Sequence, residues 1–298
     1  MKRRFFTLDV FTDRRFAGNP LAVVLESEGL DTAAMQAIAG EFNLSETVFV
    51  LPPEQPGHRA LLRIFTPARE LPFAGHPTVG TAVLLSRLDG GDQTRAIVLN
   101  EGVGPVPCRV TPNTGGGEAT FDLPTLPVEA GAPPPVATLA EALGIAVDDI
   151  GFGDFPTSCW SAGNGFTFVP VKSLDAVARA KPNRAVFDSA LVEPLHGAIF
   201  IFTRETAEAG HDFYARMFAP IMGVLEDPAT GSAAAAFAGV LSRFGGFQDG
   251  AHSVTIEQGY EMGRPSLITL GLTLQGGALT AGTVGGGAVV VSEGTIEA

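Results

Sequence analysis

The sequence contains one short motif twice, about half a chain apart. Residues 76–82 read His-Pro-Thr-Val-Gly-Thr-Ala, and residues 227–233 read Asp-Pro-Ala-Thr-Gly-Ser-Ala. Further matching pairs occur in the same order along the chain: 17–19 with 162–164, 65–67 with 218–220, and 100–102 with 257–259. The offsets run from 145 to 157 residues in a chain of 298. Ordered repeats at half the chain length predict a fold built from two homologous halves.

The repeat also suggests where the halves meet. We predict a first half of residues 1–125 plus 283–298 and a second half of residues 126–282. The proline-rich stretch from Pro124 to Pro135 is the expected crossover. The apolar segment 285–291 reads as a last strand that returns to the first half.

Most segments within each half read as strands. Residues 5–11, 47–51 and 61–65 are short, rich in β-branched or aromatic residues, and bounded by turn residues. Asp31 is a candidate cap for a helix that ends near Asn43. A second helix is predicted to begin at His76, and its counterpart at Asp227 is apolar nearly all round, which predicts burial on every side. The pattern indicates an α+β fold with one buried helix wrapped by a curled antiparallel sheet in each half.

Composition excludes several classes of function. Hydrophobic residues make up 45% of the chain and charged residues 17%, which argues against disorder. The net charge is −13 and the Lys and Arg residues are scattered, so we expect no nucleic-acid partner. The longest apolar stretch, 233–241, is far shorter than the roughly 20 residues of a membrane span, so we expect no membrane partner. Two cysteines without metal-ligand spacing favour a cytoplasmic protein that lacks disulfides and a metal site.

The repeat places His76 and Asp227 at equivalent positions, and each directly precedes a proline. Since proline is favoured in the first turn of a helix, both residues are predicted N-caps whose neighbouring N–H groups form an anion site. If the halves pack about a pseudo-twofold axis, both would face one cleft. A purely local capping role is an equally good explanation for Asp227.

Glu46 and Ser232 are two further candidates. Glu46 stands at the start of an apolar strand, where it is either a solvated edge charge or a buried acid suited to proton transfer. Ser232, in the first turn of the second buried helix, either donates to a ligand carboxylate or bonds its own backbone. Because no Gly-x-Ser-x-Gly motif surrounds it, a serine hydrolase is disfavoured.

The motifs as a set resemble one known family. They are Asn43-Leu44-Ser45-Glu46-Thr47, Phe73-Ala74-Gly75-His76-Pro77-Thr78, Glu226-Asp227-Pro228-Ala229-Thr230-Gly231-Ser232-Ala233 and the segment 258–266, with the opening segments 9–11 and 16–20. In this order they resemble the phenazine-biosynthesis isomerase (PhzF-like) family. The resemblance spans nearly the whole chain.

The resemblance implies a diaminopimelate-epimerase-like fold of two pseudo-symmetric, β-barrel-like halves, each around a central helix. It also implies a homodimer that uses no metal or organic cofactor. The catalytic residues of the family match Glu46, as the acid/base, with His76 and Asp227. The predicted substrate-binding residues are Ser45, Gly75, Gly231 and Ser232.

The predicted reaction is a proton shift on a small carboxylate substrate, with trans-2,3-dihydro-3-hydroxyanthranilate as the candidate that the family suggests. Two alternatives stay open: an amino- or hydroxy-acid epimerase or racemase on the same fold, and a member that binds a metabolite without turnover. Racemase relatives use paired cysteines at the two helix starts, whereas Cys108 and Cys159 lie elsewhere in this sequence. The cysteine positions therefore disfavour a thiol racemase.

Overall fold

The computed structural model describes residues 1–193 and 195–298, and these divide into two units. Unit 1 comprises Met1–Pro124 and Gly285–Ala298, and unit 2 comprises Thr125–Val284. Strands and helices occur in both units, which confirms the predicted α+β class.

Unit 1 contains eight strands that precede the crossover and two helices. The helices are α1 (Thr32–Phe42) and α2 (Gly75–Leu88). The strands are β1 (Lys2–Val10), β2 (Asn19–Val24), β3 (Glu46–Leu51), β4 (Ala60–Phe65), β5 (Glu70–Leu71), β6 (Arg95–Glu101), β7 (Gly104–Pro112) and β8 (Gly116–Asp122).

The described part of unit 2 follows a similar order with longer connections. Its strands are β9 (Val128–Glu129), β10 (Ser158–Ser161), β11 (Gly165–Pro170), β12 (Ile199–Thr203), β13 (Phe213–Ala219), β14 (Val224–Asp227), β15 (Gly250–Gln258) and β16 (Ser266–Gln275). Its helices are α3 (Val136–Leu143), α4 (Leu174–Arg179), α5 (Arg184–Ala190) and α6 (Gly231–Phe244). The last strand, β17 (Ala278–Glu297), begins in unit 2 and returns the chain to unit 1, where it pairs with β1.

The strands of each unit pair in the same succession. In unit 1, β2 is parallel to β3, β3 and β4 are antiparallel, β4 is parallel to β6, and β6 and β7 are antiparallel. In unit 2, the same succession joins β11, β12, β13, β15 and β16. The shared pairing pattern is what the sequence repeat predicts for a duplicated fold. The prediction of an antiparallel sheet is wrong, because each unit also contains two parallel pairs, whose strands are joined by longer connections than a hairpin.

One buried helix occupies the centre of each unit. Every residue of α2 from Gly75 to Ser86 is buried, against β1, β2, β3, β6, β7 and β8. A Cβ atom on Gly80 would lie 2.6 Å from a Leu21 methyl carbon and 2.7 Å from one of Val10, so the glycine allows α2 to approach these strands. Within the part of the chain that the structure describes, no helix has the length and apolar character to cross a bilayer.

The core of unit 2 is aromatic around α6. The ring of Phe237 lies 4.8–5.7 Å, centroid to centroid, from four other phenylalanine rings, at positions 168, 200, 202 and 213. All five side chains are fully buried. Edge-on and offset ring pairs of this kind contribute about 0.5–1.5 kcal/mol each beyond area burial.

Helix α1 positions the strand that carries Glu46. The Asp31 carboxylate accepts a 2.8 Å hydrogen bond from the Ala34 N–H at the helix start, as predicted. Asn43 ends the helix in the left-handed conformation with φ 51°, a conformation that Asn tolerates better than most residues. Three residues later the chain enters β3 at Glu46.

Helix α2 begins one residue earlier than predicted. Its first residue is Gly75, and the extended residue Ala74 precedes it. The Thr78 N–H and the Thr78 hydroxyl both lie close to the Ala74 carbonyl, at 3.2 and 2.8 Å, so the first turn closes on Ala74. The prediction that His76 is an N-cap is therefore wrong, because His76 lies inside the first turn.

Helix α6 begins four residues later than predicted, at Gly231. Asp227 ends strand β14 instead. The Thr230 N–H donates to Gln258 Oε1 at 3.1 Å, a tertiary bond that keeps this segment outside the helix. The prediction that Asp227 is an N-cap is also wrong.

Candidate active site

Glu46 lies at the entrance to a buried strand. It is the first residue of β3, where its backbone pairs with Leu21 of β2. The next four residues, 47–50, are buried. The Glu46 side chain is 17% exposed, so it is largely buried but remains partly accessible from solvent.

The His76 ring lies next to the Glu46 carboxyl group. Its Nε2 atom lies 3.3 Å from Glu46 Oε2, and its side chain is only 5% exposed. The first turn of α2 brings the ring to the end of β3, since α2 packs against that strand. The structure thus places two of the predicted catalytic residues, Glu46 and His76, side by side within unit 1.

The His76 ring is neutral at physiological pH. Burial lowers its pKa to about 3, and a hydrogen bond to the backbone of Pro20 only partly opposes that effect. Proline has no N–H, so its carbonyl is the acceptor and the His76 ring is the donor. Because Nε2 faces Glu46, Nδ1 carries the ring hydrogen, and Nε2 presents a lone pair.

In this tautomer Nε2 of His76 can only accept a hydrogen bond, so any hydrogen between Nε2 and Oε2 of Glu46 must belong to the Glu46 carboxyl group. Nε2 of His76 and the carboxyl oxygen of Glu46 both have lone pairs, and the carboxyl group is the one that can carry a hydrogen. A proton on Glu46 therefore has a partner when it is held, and the ionised carboxylate faces a lone pair when the proton is gone. This arrangement favours a group that takes up and returns protons.

Asp227 occupies the corresponding sequence position in unit 2, in a different setting. It is 8% exposed, and its Oδ2 atom accepts a 2.6 Å hydrogen bond from the Thr230 hydroxyl. Gln258 Nε2 donates to the Asp227 carbonyl at 2.8 Å and to Thr230 Oγ1 at 3.0 Å. The side chains of Thr230 and Gln258 thus hold both the backbone and the carboxylate of Asp227.

The predicted substrate-binding residues lie beside these groups within their own units. In unit 1, Ser45 is half-buried directly before β3, and Gly75 is the buried first residue of α2. In unit 2, Gly231 is the buried first residue of α6, and Ser232 follows it, half-buried. Their roles in binding remain predictions.

Sequence reasoning missed Thr230 and Gln258 as supports for Asp227. The repeat could have pointed to Gln258, because it aligns Gln258 with Glu101, and both residues end strands.

Sequence reasoning also missed a contact that occurs in both units. In unit 1, His58 Nδ1 lies 2.6 Å from Asn100 Oδ1. In unit 2, His211 Nδ1 lies 2.6 Å from Oε1 of the buried carboxylate at position 257.

The two cysteines lie in elements that carry none of Glu46, His76 and Asp227. Cys108 is in β7 and Cys159 in β10, and both are buried, free thiols. Burial raises the pKa of each thiol, which opposes formation of a reactive thiolate. Among residues 1–193 and 195–298, no group of three or more His, Cys, Asp or Glu side chains could hold a metal ion.

Comparison with known proteins gives matches over the full length. The family model of phenazine biosynthesis-like proteins (PhzC-PhzF) matches residues 8–294. An uncharacterised isomerase of Mesorhizobium japonicum is 47% identical over 99% of this chain and 98% of its own length. The trans-2,3-dihydro-3-hydroxyanthranilate isomerase of Pseudomonas fluorescens is 37% identical over 98% of both chains. The crystal structure of a PhzF-family phenazine biosynthesis protein of Bacillus anthracis superimposes over 100% of both chains with a TM-score of 0.90 at 29% identity.

Proposed function

The chain belongs to the phenazine biosynthesis-like (PhzF) family and is an isomerase, and we propose that it shifts a double bond in a small carboxylate substrate, with Glu46 as the acid/base. The observation that carries this proposal is the pairing in unit 1. A reachable carboxyl group on Glu46 lies 3.3 Å from the buried His76 ring. Burial holds that ring neutral by lowering its pKa to about 3.

The proposed step balances without an external reagent. The ionised Glu46 carboxylate takes a proton from a carbon atom of the substrate. The electron pair of the broken C–H bond forms a new C=C bond, and the π pair of the existing C=C bond moves to a second carbon. Glu46 returns the proton to that carbon, so substrate and product are isomers and the enzyme ends as it began.

His76 assists this cycle without changing its own charge. Its Nε2 lone pair accepts the hydrogen of protonated Glu46 between the two transfers. The Pro20 carbonyl holds the ring in the required tautomer through the opposite nitrogen. General acid/base catalysis by a positioned group is worth about 10²–10⁴-fold in rate, and substrate positioning must supply the rest.

We propose trans-2,3-dihydro-3-hydroxyanthranilate as the first substrate to assay. Support comes from the Pseudomonas fluorescens enzyme of that name, which is 37% identical to this chain over nearly its full length. We further propose that Ser45, Gly75, Gly231 and Ser232 contribute to substrate binding. The N–H groups at a helix start favour an anion such as a substrate carboxylate, and three of these residues lie in the first turn of α2 or α6.

Proton NMR of the reaction in deuterated water tests the proposal. We expect the purified protein to convert trans-2,3-dihydro-3-hydroxyanthranilate to a double-bond isomer of equal mass, apart from any deuterium gained. Inversion of a stereocentre in amino or hydroxy acids, with no double-bond shift in any substrate, would establish an epimerase instead. Failure of both reactions across a panel of small carboxylates would contradict the proposal.

A further inference from the structure

The first turn of α2 contains a hydroxyl group between two oxygen atoms. Thr78 Oγ1 lies 2.8 Å from the Ala74 carbonyl oxygen and 2.7 Å from Glu101 Oε1. A hydroxyl group has one hydrogen, so it can donate to only one of these neighbours. In the other contact, the neighbouring group must donate to Thr78 Oγ1. The Ala74 carbonyl has no hydrogen to donate, so the donor is the carboxyl group of Glu101.

We propose that Glu101 is a positioning residue for the reaction: its carboxylic acid donates to Thr78, Thr78 donates to the Ala74 carbonyl, and this relay fixes the turn that carries His76. The role rests on the proposed function, because His76 matters for catalysis only if Glu46 is the acid/base. Glu101 itself acts through Thr78 and Ala74 and has no assigned contact with the substrate.

The surroundings of Glu101 support the acid form. Glu101 is 5% exposed at the end of β6, and its Oε2 atom is buried with no hydrogen-bond partner among the described residues. An unpartnered oxygen costs less on a neutral acid than on a carboxylate. Burial raises the pKa of Glu101 to about 8, and this effect outweighs the hydrogen bonds that Thr78 and the Ala74 backbone can donate to the ionised form.

Helix α2 begins without a side-chain cap. Ala74 offers no side-chain acceptor, and no side-chain hydrogen bond caps the helix start. In α1, by contrast, Asp31 caps the first turn directly. Glu101 supports this turn from strand β6 through its contact with Thr78.

Among the residues that the structure describes, no cation is found to offset a charge on Glu101. Burial raises the pKa of the Cys108 thiol in β7, and the negative charges that Glu101 and Asp122 carry when ionised raise it further. The cavity beside Glu101 is also lined by Glu54, Arg63 and Glu70. The Arg63 guanidinium is committed to Glu70 through two hydrogen bonds of 2.7 and 2.6 Å, and is not available to stabilise an ionised Glu101.

Ionisation of Glu101 should therefore disturb the relay. Above about pH 8 the carboxylate needs the Thr78 hydrogen for itself. The Ala74 carbonyl then loses the bond from the Thr78 hydroxyl and keeps only the longer one from the Thr78 N–H, so the turn that carries His76 loosens.

An NMR titration of the full-length protein tests this inference without a substrate. We expect the ring Cε1–H resonance of His76, assigned by its loss in His76→Gln, to move with a midpoint near pH 8. The pKa of His76 itself is about 3, so a transition near pH 8 reports another group. The transition should vanish in Glu101→Gln and persist in Glu54→Gln, a matched control that lines the same cavity. A transition that persists in Glu101→Gln, or none in the native protein, would overturn the proposal.

Kinetics provide a second readout. Glu101→Gln keeps an N–H donor for Thr78 and cannot ionise, so its kcat should stay close to the native value at pH 7 and lose any decline near pH 8. Glu101→Ala removes the donor and should lower kcat roughly tenfold with little change in KM, since misplacement of a catalytic group by about 1 Å can cost up to about 100-fold. Equal kcat values in all three proteins would contradict a positioning role. If the native protein lacks isomerase activity, the proposed function fails, while the titration still decides the relay.

Discussion

Nε2 of His76 lies 3.3 Å from Oε2 of Glu46, and the histidine is the more deeply buried partner. The contact pairs a proton-carrying group with a fixed acceptor rather than with a cation, because burial lowers the pKa of His76 to about 3. The reachable carboxyl group can therefore gain and lose a proton while its neighbour keeps the same charge. We therefore expect Glu46 to change its protonation state during the reaction and His76 to stay neutral.

The stability of the protein should depend on His76 below neutral pH. The folded-state pKa of about 3 lies below the ordinary value of 6.5, so the neutral ring favours the fold above pH 6.5. That contribution is lost as the pH falls from about 6.5 towards 3. Chemical denaturation at several pH values should show a smaller loss of unfolding free energy over this range in His76→Gln than in the native protein.

The matched control is His252→Gln. His252 lies in β15, where its Nε2 atom is 2.7 Å from the Gln248 carbonyl oxygen in an exposed contact. We expect this variant to keep the native pH dependence. Parallel pH profiles for the native protein and His76→Gln would show that His76 is not held neutral by the fold.

Gly80 should tolerate no side chain. A Cβ atom there would approach side-chain carbons of Leu21 and Val10 to 2.6–2.7 Å, far inside contact distance. Gly80→Ala should lower the free energy of unfolding by about 1–3 kcal/mol, the usual cost of overpacking. Gly40→Ala is the control, because Gly40 is exposed in α1 and its nearest neighbour would be 4.0 Å away. The Gly40→Ala variant should be more stable than the native protein by about 0.5–1 kcal/mol, because alanine has the higher helix propensity. Equal effects at both sites would contradict the packing argument.

The hydroxyl of Thr230 should matter more than its methyl group. It donates to Asp227 Oδ2 at 2.6 Å and accepts from Gln258 Nε2 at 3.0 Å. Thr230→Val should destabilise the protein by about 1–3 kcal/mol, since it removes a buried donor from a carboxylate. Thr230→Ser keeps the hydroxyl and should stay closer to native in thermal unfolding. If the serine variant is the less stable of the two, hydrogen bonding is not what holds Asp227.

Isomerase activity should not depend on thiols. Cys108 and Cys159 are buried within strands and their pKa values are raised. We expect the double variant Cys108→Ala, Cys159→Ala to keep a kcat close to that of the native enzyme at pH 7. Inactivation of this variant, without loss of its circular dichroism spectrum, would point back to a thiol mechanism.

The sequence predicts the duplication and the α+β class, because repeated motifs and apolar periodicity are properties of the chain itself. Helix α1 is likewise predicted from end to end, since Asp31 and Asn43 act on their own neighbours. The starts of α2 and α6 are not predicted correctly. Gln258 holds Thr230 outside α6 through a tertiary bond, and the first turn of α2 closes on the Ala74 carbonyl, one residue before the predicted position.

Motif matching identifies Glu46 and His76 as candidate catalytic residues, but it does not give the charge of either side chain. The neutral state of the His76 ring depends on burial and on the Pro20 carbonyl, which lies 56 residues away in sequence. In the sequence, Glu101 is recognisable only as part of the repeat, because its burial exists only in the folded chain. Local patterns thus predict elements and candidate residues, whereas long-range contacts decide protonation.

The most direct test of the account is the turnover number of Glu46→Gln. Glutamine keeps the size of the side chain but can neither take nor return a proton. We expect kcat to fall about 10²–10⁴-fold while the thermal unfolding midpoint stays close to native. Glu41→Gln, which removes an exposed carboxylate from α1, should retain native kcat. A Glu46→Gln enzyme that isomerises its substrate as fast as the native protein would contradict the assignment of Glu46 as the acid/base.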